Sequence, residues 1–214
     1  MKHVDVPTVV QAHMEAFPHG FYSRLGPQFM TSYLREHLRS PAACAFAAVD
    51  GRTGHVVGYL LGTLDDAAHR AHKVRHSTRT LARAGAAALR RRPALWGEFL
   101  RVRALWYLRR LARGGAFSRA APPSGPSRTV SAELLYICVL PSVRLTGIGG
   151  ALHDTFVARA SDAGAGRLHL VTEEENLIAQ TLYEHRGWIT ESVVTSRDGR
   201  RLVRMIRNLH VDAA

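Results

Sequence analysis

The amino-acid sequence predicts an α/β (α+β) fold in which helices flank a mixed central sheet. Apolar runs typical of strands alternate with stretches in which apolar residues recur at helical spacing. Turn signals at residues 50–54 and 198–199 join neighbouring strand candidates as antiparallel hairpins. The apolar run 134–140 instead passes through a glycine turn into a helical pattern. The sheet is therefore expected to combine hairpins with a strand–helix–strand unit.

The individual elements follow from these patterns in chain order. Helices are expected at about 7–17 and 26–38, and strands at about 43–50 and 55–64. A strand at about 131–140 leads into a helix at about 147–163, in which Leu152, Phe156 and Val157 recur at helical spacing. The remaining elements are a strand at about 167–172, a helix at about 176–186 with Gly187 as its C-cap, and strands at about 188–196 and 201–209.

Composition favours one folded domain over the whole chain, residues 1–214. The chain is 46% hydrophobic and 21% charged, which is enough apolar material for a substantial core. Cys44 and Cys138 lie in apolar, strand-like runs and are expected to be reduced core residues, as in cytoplasmic proteins. The N-terminus shows no signal-peptide pattern, and no uncharged run reaches the roughly 20 residues that span a membrane. A cytoplasmic location is therefore expected.

The positive charge is concentrated in one segment. The chain has a net charge of +12, yet residues 70–119 hold 14 of its 29 Lys and Arg and a single acidic residue, Glu98. We interpret residues 66–119 as a basic helical-hairpin insertion before the strand at 131, and residues 120–129, rich in Pro, Ser and Gly, as a linker. The helices of this insertion are expected at about 69–91 and 94–113, with Pro93 interrupting the helical pattern between them.

The segment Arg144–Gly150 indicates a phosphate-binding turn. Its glycines let the backbone approach a ligand closely, and its N–H groups lie at the positive end of the following helix. A Walker loop is excluded because no Gly-Lys-Ser/Thr follows. A dinucleotide fingerprint is disfavoured because Thr172, rather than an acidic residue, ends the next strand. A phosphorylated cofactor is expected here.

Two motifs in the right order resemble the GNAT N-acyltransferase (N-acetyltransferase) superfamily. The first is Arg-x-x-Gly-x-Gly, formed by Arg144, Gly147 and Gly149. The second runs from Asn176 to Trp188 as Asn-x-x-Ala-x-x-Leu-Tyr-x-x-x-Gly-Trp, with Trp in place of the usual Phe. The resemblance is close over 133–208 and looser over 7–64. The chain departs from the family at Leu145, where the loop often has glycine, and in lacking the first family strand.

The resemblance implies that the chain binds acetyl-CoA or another acyl-CoA. The N–H of Val139 would contact the acyl or pantetheine region, and Arg144 would support the loop. Asn176 would cap its helix and also contact the cofactor. Tyr183 would contact the cofactor as well. The pyrophosphate would be held by the residues of the loop and the start of its helix: Leu145, Thr146, Gly147, Ile148, Gly149 and Gly150.

In the implied reaction, a base removes a proton from the attacking amine and N–H groups stabilise the oxyanion of the tetrahedral intermediate. An acid then protonates the departing thiolate. Tyr183 matches the family acid, although a core tyrosine would show the same spacing. Glu133, at the start of the central strand, is the first base candidate, and Glu173, just after a strand end, is the second. Both carboxylates could also be ordinary surface residues.

The loop between the first two helices lines the acceptor side in relatives, which makes His19, Phe21 and Tyr22 candidate substrate-binding residues. Alternatively, Phe21 and Tyr22 pack into the core, an interpretation that the sequence supports equally well. No metal is expected, since the family chemistry needs none, although His69, His72 and His76 share one face of an ideal helix.

The sequence thus favours an N-acyltransferase acting on a primary amine of a small molecule or peptide, in bacterial metabolite or polysaccharide biosynthesis. A carrier-protein-dependent or long-chain enzyme, or a non-catalytic acyl-CoA-binding regulator, remains an alternative. The basic insertion could simply face water. It could also bind an acidic partner such as an acyl carrier protein, or an anionic membrane. Nucleic acid is disfavoured because no recognised module accompanies the charge. An oligomer is not excluded.

Overall fold

The computed structural model describes residues 1–99, 129–196 and 199–209. Six strands of this part form one sheet in the order β1-β2-β3-β4-β6-β5. Their bounds are Ala43–Val49 for β1, Val56–Thr63 for β2, Val130–Val139 for β3, Ala165–Glu173 for β4, Ile189–Thr195 for β5 and Arg201–Asn208 for β6. Each lies within two residues of its predicted range.

Helices precede, interrupt and follow these strands. They are α1 Val6–Ala16, α2 Phe21–Arg24, α3 Pro27–Leu38, α4 Asp66–His72, α5 Thr78–Arg91, α6 Leu95–Phe99, α7 Ile148–Asp162 and α8 Leu177–Glu184. Short 3₁₀ turns cover His3–Asp5 and Pro141–Val143, and a π-helical turn, Lys73–Ser77, joins α4 to α5. Patterning had not indicated α2 or the π turn.

The sheet is mixed, as predicted. The pair β3 and β4 is parallel, and all other neighbouring strands are antiparallel. The parallel connection runs through α7, which agrees with the strand–helix–strand unit expected from the sequence. Together with the flanking helices, this arrangement confirms the predicted fold class.

Each face of the sheet is covered by its own apolar cluster. On one face, α7 and α8 pack through residues such as Phe156 and Tyr183 onto Leu168 and Leu170. On the other face, α1, α3 and α5 bury Met30, Leu34 and Leu89 against Tyr59 and Leu61. Burial of these side chains is the main stabilising contribution to the fold.

A β-bulge in β3 interrupts the central pairing. Leu61 of β2 is opposite Tyr136, whereas Gly62 is opposite Leu134, so that Leu135 is the extra residue. The bulge reverses the in–out alternation of β3. Glu133 before it and Tyr136 after it consequently lie on the same face of the sheet, the face covered by α1, α3 and α5.

The structure describes the first part of the basic segment. The segment is helical from Asp66, whose helix is capped by Asp65 accepting from the N–H of Ala68. Ala88 and Leu89 of α5 are buried beside α3, while Arg79 and Arg83 face solvent. The rest of the predicted insertion, 100–119, and nearly all of the predicted linker lie outside the described residues. The insertion and its acidic or membrane partner therefore stay predictions.

Both cysteines are free thiols, Cys44 half-buried and Cys138 buried. Burial raises the pKa of both thiols, that of Cys44 to about 12, so both are protonated at neutral pH. Among the described residues, no helix is both long enough and apolar enough to cross a membrane.

The bulge leaves no room for a side chain at Gly62. A Cβ there would lie 2.7 Å from Cε2 of Phe156 and 3.0 Å from the carbonyl oxygen of Glu133. Gly62→Ala is therefore expected to lower the free energy of unfolding by about 1–3 kcal/mol. Gly51→Ala is the matched control, because a Cβ at Gly51 meets no atom within 4 Å. Urea denaturation measures both, and equal midpoints for the two variants would contradict this packing.

Candidate active site

The two central parallel strands separate along their second halves. Pairing between β3 and β4 covers Val130 to Leu134 of β3 and stops there. Beyond the bulge, the N–H of Leu140 donates to the carbonyl oxygen of Val57 at 2.9 Å. Because ladder bonds alternate along a strand, the N–H groups of Ile137 and Val139 point away from β2 and into the gap. The strands β3 and β4 are thus splayed apart near Val139.

The glycine turn after β3 is held by its own side chains. Arg144 Nε donates to the carbonyl oxygen of Val139 at 3.2 Å, and Thr146 Oγ1 donates to that of Val143 at 2.7 Å. Gly147 has φ +88° and is the N-cap of α7. The N–H groups of Ile148, Gly149 and Gly150 therefore lie in the first helical turn, where no intrahelical partner exists. This is the arrangement that suits a phosphate.

Leu145 adopts a conformation that glycine would adopt with less strain. Its φ is +63°, and it is the one non-glycine residue in the described part of the chain with positive φ. Its side chain is 98% exposed, so packing does not compensate the strain. The departure from the family pattern noted in the sequence is thus accommodated by backbone strain and leaves the loop in place.

Helix α8 positions the second motif. Asn176 caps it, since its side chain accepts from the N–H of Ala179 at 3.2 Å, as predicted. Tyr183 is 4% exposed and lies 5.8 Å from the Trp188 ring. Burial raises the pKa of Tyr183, which keeps its hydroxyl protonated. Its hydroxyl forms no hydrogen bond with another described residue, so Tyr183 can act as a donor toward a ligand.

Glu133 lies in a cleft of about 660 Å³ on the sheet face opposite α7. Burial, followed by the neighbouring charge of Asp66, raises the pKa of Glu133 to about 7. Arg70, Lys73 and Arg204 oppose that rise. Among the described residues, none of these cations forms an ion pair with Glu133. A carboxylate that titrates near neutral pH suits a general base.

Two further polar residues meet Glu133, and sequence reasoning missed both. His169 Nε2 lies 3.8 Å from Oε2 of Glu133 and 3.8 Å from Oδ2 of Asp66. Nδ1 of His169 is 3.1 Å from the Ser131 hydroxyl, and burial lowers the pKa of the imidazole. Alternation along β4 could have placed His169 on the same face as Glu133, but no local pattern connects either residue to Asp66.

Asp66, Glu133 and His169 also have side-chain N and O atoms close enough together to bind one metal ion, all within 4.8 Å of one another. Among the described residues, this is the group with such an arrangement. Asp66 is already ion-paired with Arg70. The histidines considered from the sequence do not converge in this way. His69 is buried, with Nδ1 2.9 Å from the Ser40 hydroxyl, whereas His72 lies against His76 with ring centroids 4.7 Å apart.

The remaining predicted residues lie elsewhere. Glu173 forms an ion pair with Arg200 at the end of the sheet and is 54% exposed. Phe21 and Tyr22 pack against the apolar cluster beneath α3, with the Tyr22 ring 4.8 Å from that of Tyr33. His19 is exposed. None of these four residues lines the cleft of Glu133.

Comparisons with known proteins support the fold. Residues 114–188 match the model of the acetyltransferase (GNAT) family. No curated protein sequence matches the chain. The fold is similar to Naa20 of Chaetomium thermophilum in complex with a bisubstrate analogue, with a TM-score of 0.58 and 18% identity over 99% of this chain and 86% of that one.

Two further solved structures share the fold. One is the ribosomal-protein-alanine N-acetyltransferase of Brucella melitensis, with a TM-score of 0.57 and 14% identity over 98% of this chain and 97% of that one. The other is a spermidine N-acetyltransferase chimera of the Vibrio cholerae and human enzymes, with a TM-score of 0.56 and 13% identity over 97% and 92%. The chain has the fold of these acetyltransferases, and residues 114–188 match the GNAT family model.

The strain at Leu145 generates a stability prediction. Leu145→Gly is expected to raise the free energy of unfolding by about 1 kcal/mol relative to Leu145→Ala, because only glycine relieves positive φ. Leu145→Ala removes the same exposed side chain but retains the strained backbone, which makes it the matched control. Thermal unfolding compares the two variants. An alanine variant as stable as the glycine variant would show that the backbone here is not strained.

Proposed function

We propose that this protein transfers an acetyl group, or a longer acyl group, from acyl-CoA to a primary amine of a small molecule or peptide. The observation that supports this most strongly is Glu133, a carboxyl group with a pKa of about 7 in a cleft beside the opening between β3 and β4. A protein that only bound the cofactor would need no group that titrates near neutral pH. The carboxylate is therefore better explained by a proton-transfer role.

In this proposal the donor lies in the gap between the strands. The turn Arg144–Gly150 would hold the pyrophosphate, because its free N–H groups and the α7 dipole attract an anion. Asn176 would face the same ligand from the start of α8. The backbone N–H of Val139 would stabilise negative charge on the thioester oxygen.

Glu133 would remove the proton of the attacking amine. As the N–C bond forms, the proton passes from nitrogen to the Glu133 carboxylate, directly or through one water. Asp66 and His169 act on this step through Glu133, since the charge of Asp66 contributes to its raised pKa and His169 occupies the space beside it. When the C–S bond breaks, the Tyr183 hydroxyl would give its proton to the thiolate sulfur.

Of the two base candidates, Glu133 is favoured over Glu173. Glu173 forms an ion pair with Arg200 outside the cleft and is 54% exposed, so it lies away from the buried carboxyl group of the cleft. Glu133 has no such partner in the described residues.

The acceptor is proposed only as an amine. The fold neighbours include proteins described as acting on a ribosomal protein and on spermidine, which are very different amines. Fold alone does not define the acceptor. In this chain the cleft is lined by arginine side chains as well as carboxylates, among them Arg70, Arg167 and Arg204. Each of these arginines is ion-paired with Asp66 or Glu191, so the charges of the cleft lining are balanced.

A direct test is release of free thiol from acetyl-, octanoyl- and palmitoyl-CoA in the presence of amine-bearing peptides and polyamines. The acylated product is confirmed by its mass, and calorimetric titration of the same thioesters measures binding without turnover. Activity with any amine supports the transferase. Binding without turnover toward all amines would favour a regulatory protein, and absence of binding would contradict the cofactor site.

Glu133→Gln is expected to lower kcat/KM by roughly 100-fold above pH 7, the scale on which general bases contribute. In the wild type, kcat/KM should rise with pH through about 7 as Glu133 ionises, and the variant should lose that limb. If Glu173 were the base, Glu173→Gln would lose the limb instead. A rising limb that persists in Glu133→Gln would contradict the assignment.

The same variant has a stability readout that is independent of activity. The pKa of Glu133 is raised from 4.5 to about 7 in the folded protein. Because the unfolded chain gives up this proton more readily than the folded protein, the ionised carboxylate lowers the free energy of unfolding. The cost is absent below pH 4.5 and grows as pH rises to about 7. Glu133→Gln is therefore expected to be more stable than the wild type at pH 8 and to lose that advantage near pH 5.

Tyr183→Phe is expected to lower kcat by roughly 10- to 100-fold while CoA binding persists, because only the proton donor is lost. The thermal midpoint should hardly change, since the hydroxyl has no hydrogen-bond partner among the described residues. Tyr59→Phe is the control. Its hydroxyl lies 2.7 Å from Nδ1 of buried His13, so this change should reduce stability and leave the chemistry intact. Unchanged kcat in Tyr183→Phe would remove Tyr183 from the reaction.

A further inference from the structure

The first turn of α7 is contacted by an arginine from another helix. Arg186 follows α8, and its Nε donates to Oδ1 of Asp154 at 3.0 Å. Gly150 and Asp154 are four residues apart on α7 and therefore lie on one face of that helix. A Cβ at position 150 would overlap the Arg186 guanidinium. The arginine thus extends along α7 from Asp154 toward its N-terminus, and the glycine leaves the space for it.

The position of Arg186 is set by a chain of hydrogen bonds that begins in the interior and ends at the surface. Trp188 Nε1 donates to Nε2 of His153 at 2.8 Å, which assigns the ring proton of the neutral imidazole to Nδ1. Nδ1 then donates to Oδ1 of Asp154 at 2.7 Å, the oxygen that also accepts from Arg186. Burial lowers the pKa of His153, so the imidazole stays neutral. Asp154 is oriented by this chain, and Arg186 is oriented by Asp154.

This network places a guanidinium next to the helix terminus that carries the phosphate-binding turn. Asp154 engages Nε, and the terminal nitrogen Nη2 is the atom that lies against Gly150. The Arg186 side chain is 28% exposed, so it is not sealed within the core. A guanidinium offers five donors in a planar fork that matches phosphate oxygens, and one ion pair uses only part of that capacity.

We propose that Arg186 binds a phosphate group of the CoA donor, together with the N-terminal turn of α7. This inference rests on the proposed function, because it assumes that the turn holds the donor's phosphates. Gly150 and Asp154 are then positioning residues, since one makes room for the guanidinium and the other directs it. The ligand chemistry is a phosphate ester, either in the pyrophosphate or on the 3′-hydroxyl of the adenosine.

The test is calorimetric titration of CoA and 3′-dephospho-CoA into the wild type and Arg186→Gln at fixed low salt. The variant is expected to bind CoA roughly tenfold more weakly, as loss of one charged hydrogen bond would cause. A loss confined to CoA assigns Arg186 to the 3′-phosphate, and an equal loss for both ligands assigns it to the pyrophosphate. Unchanged affinity for both would overturn the inference. Failure of the wild type to bind either ligand would instead refute the proposed function.

Two variants separate phosphate binding from support of the fold. Asp154→Asn removes the ion pair that directs the guanidinium but retains the cation, so it should lose about as much stability as Arg186→Gln but less CoA affinity. Gly150→Ala favours the helix but displaces the guanidinium, so it should weaken CoA binding in the wild type and have no further effect in Arg186→Gln. Equal loss of CoA affinity in Asp154→Asn and Arg186→Gln would show that Arg186 acts through the fold alone.

Discussion

The bulge at Leu135 is the constraint on which the rest of the site depends. Before it, β3 pairs with both neighbours and Glu133 faces the cleft. After it, β3 follows β2 alone, so the N–H groups of Ile137 and Val139 face an open gap. A regular strand would pair these groups with β4 and would place Glu133 and Tyr136 on opposite faces of the sheet. One extra residue thus opens the gap between β3 and β4 and brings Glu133 and Tyr136 to the same face.

Burial rather than a single partner determines the chemistry of the cleft. The carboxylates of Asp66 and Glu191 and the arginines of the cleft neutralise one another in ion pairs. No Lys or Arg of the described residues forms an ion pair with Glu133, and the nearby charges of Arg70, Lys73 and Arg204 offset its desolvation only in part. The opposite face works differently, because there the exposed N–H groups of the glycine turn and a helix dipole provide fixed positive charge for an anion.

Local patterns were sufficient for the helices and strands and for the two motifs. Asn176 caps its helix and Gly147 starts α7 because capping and positive φ are properties of a few adjacent residues. The inward packing of Phe21 and Tyr22 was left open by the sequence, since an aromatic residue in a loop can line a ligand site or fill the core. The π turn Lys73–Ser77 has no local signal in this sequence, and it places His69 in the interior rather than beside His76.

The order of helices and strands, the glycine turn at Arg144–Gly150 and the resemblance to one superfamily could all be predicted from the sequence, because each depends on neighbouring residues. Only the tertiary structure decided which acid in the chain acquires a pKa near neutrality and which residues surround it. Asp66, Glu133 and His169 are far apart in the chain and meet because α4, β3 and β4 pack together. The contact of Arg186 with Gly150 arises in the same way. Burial and charge proximity are properties of three-dimensional neighbours, which no local pattern records.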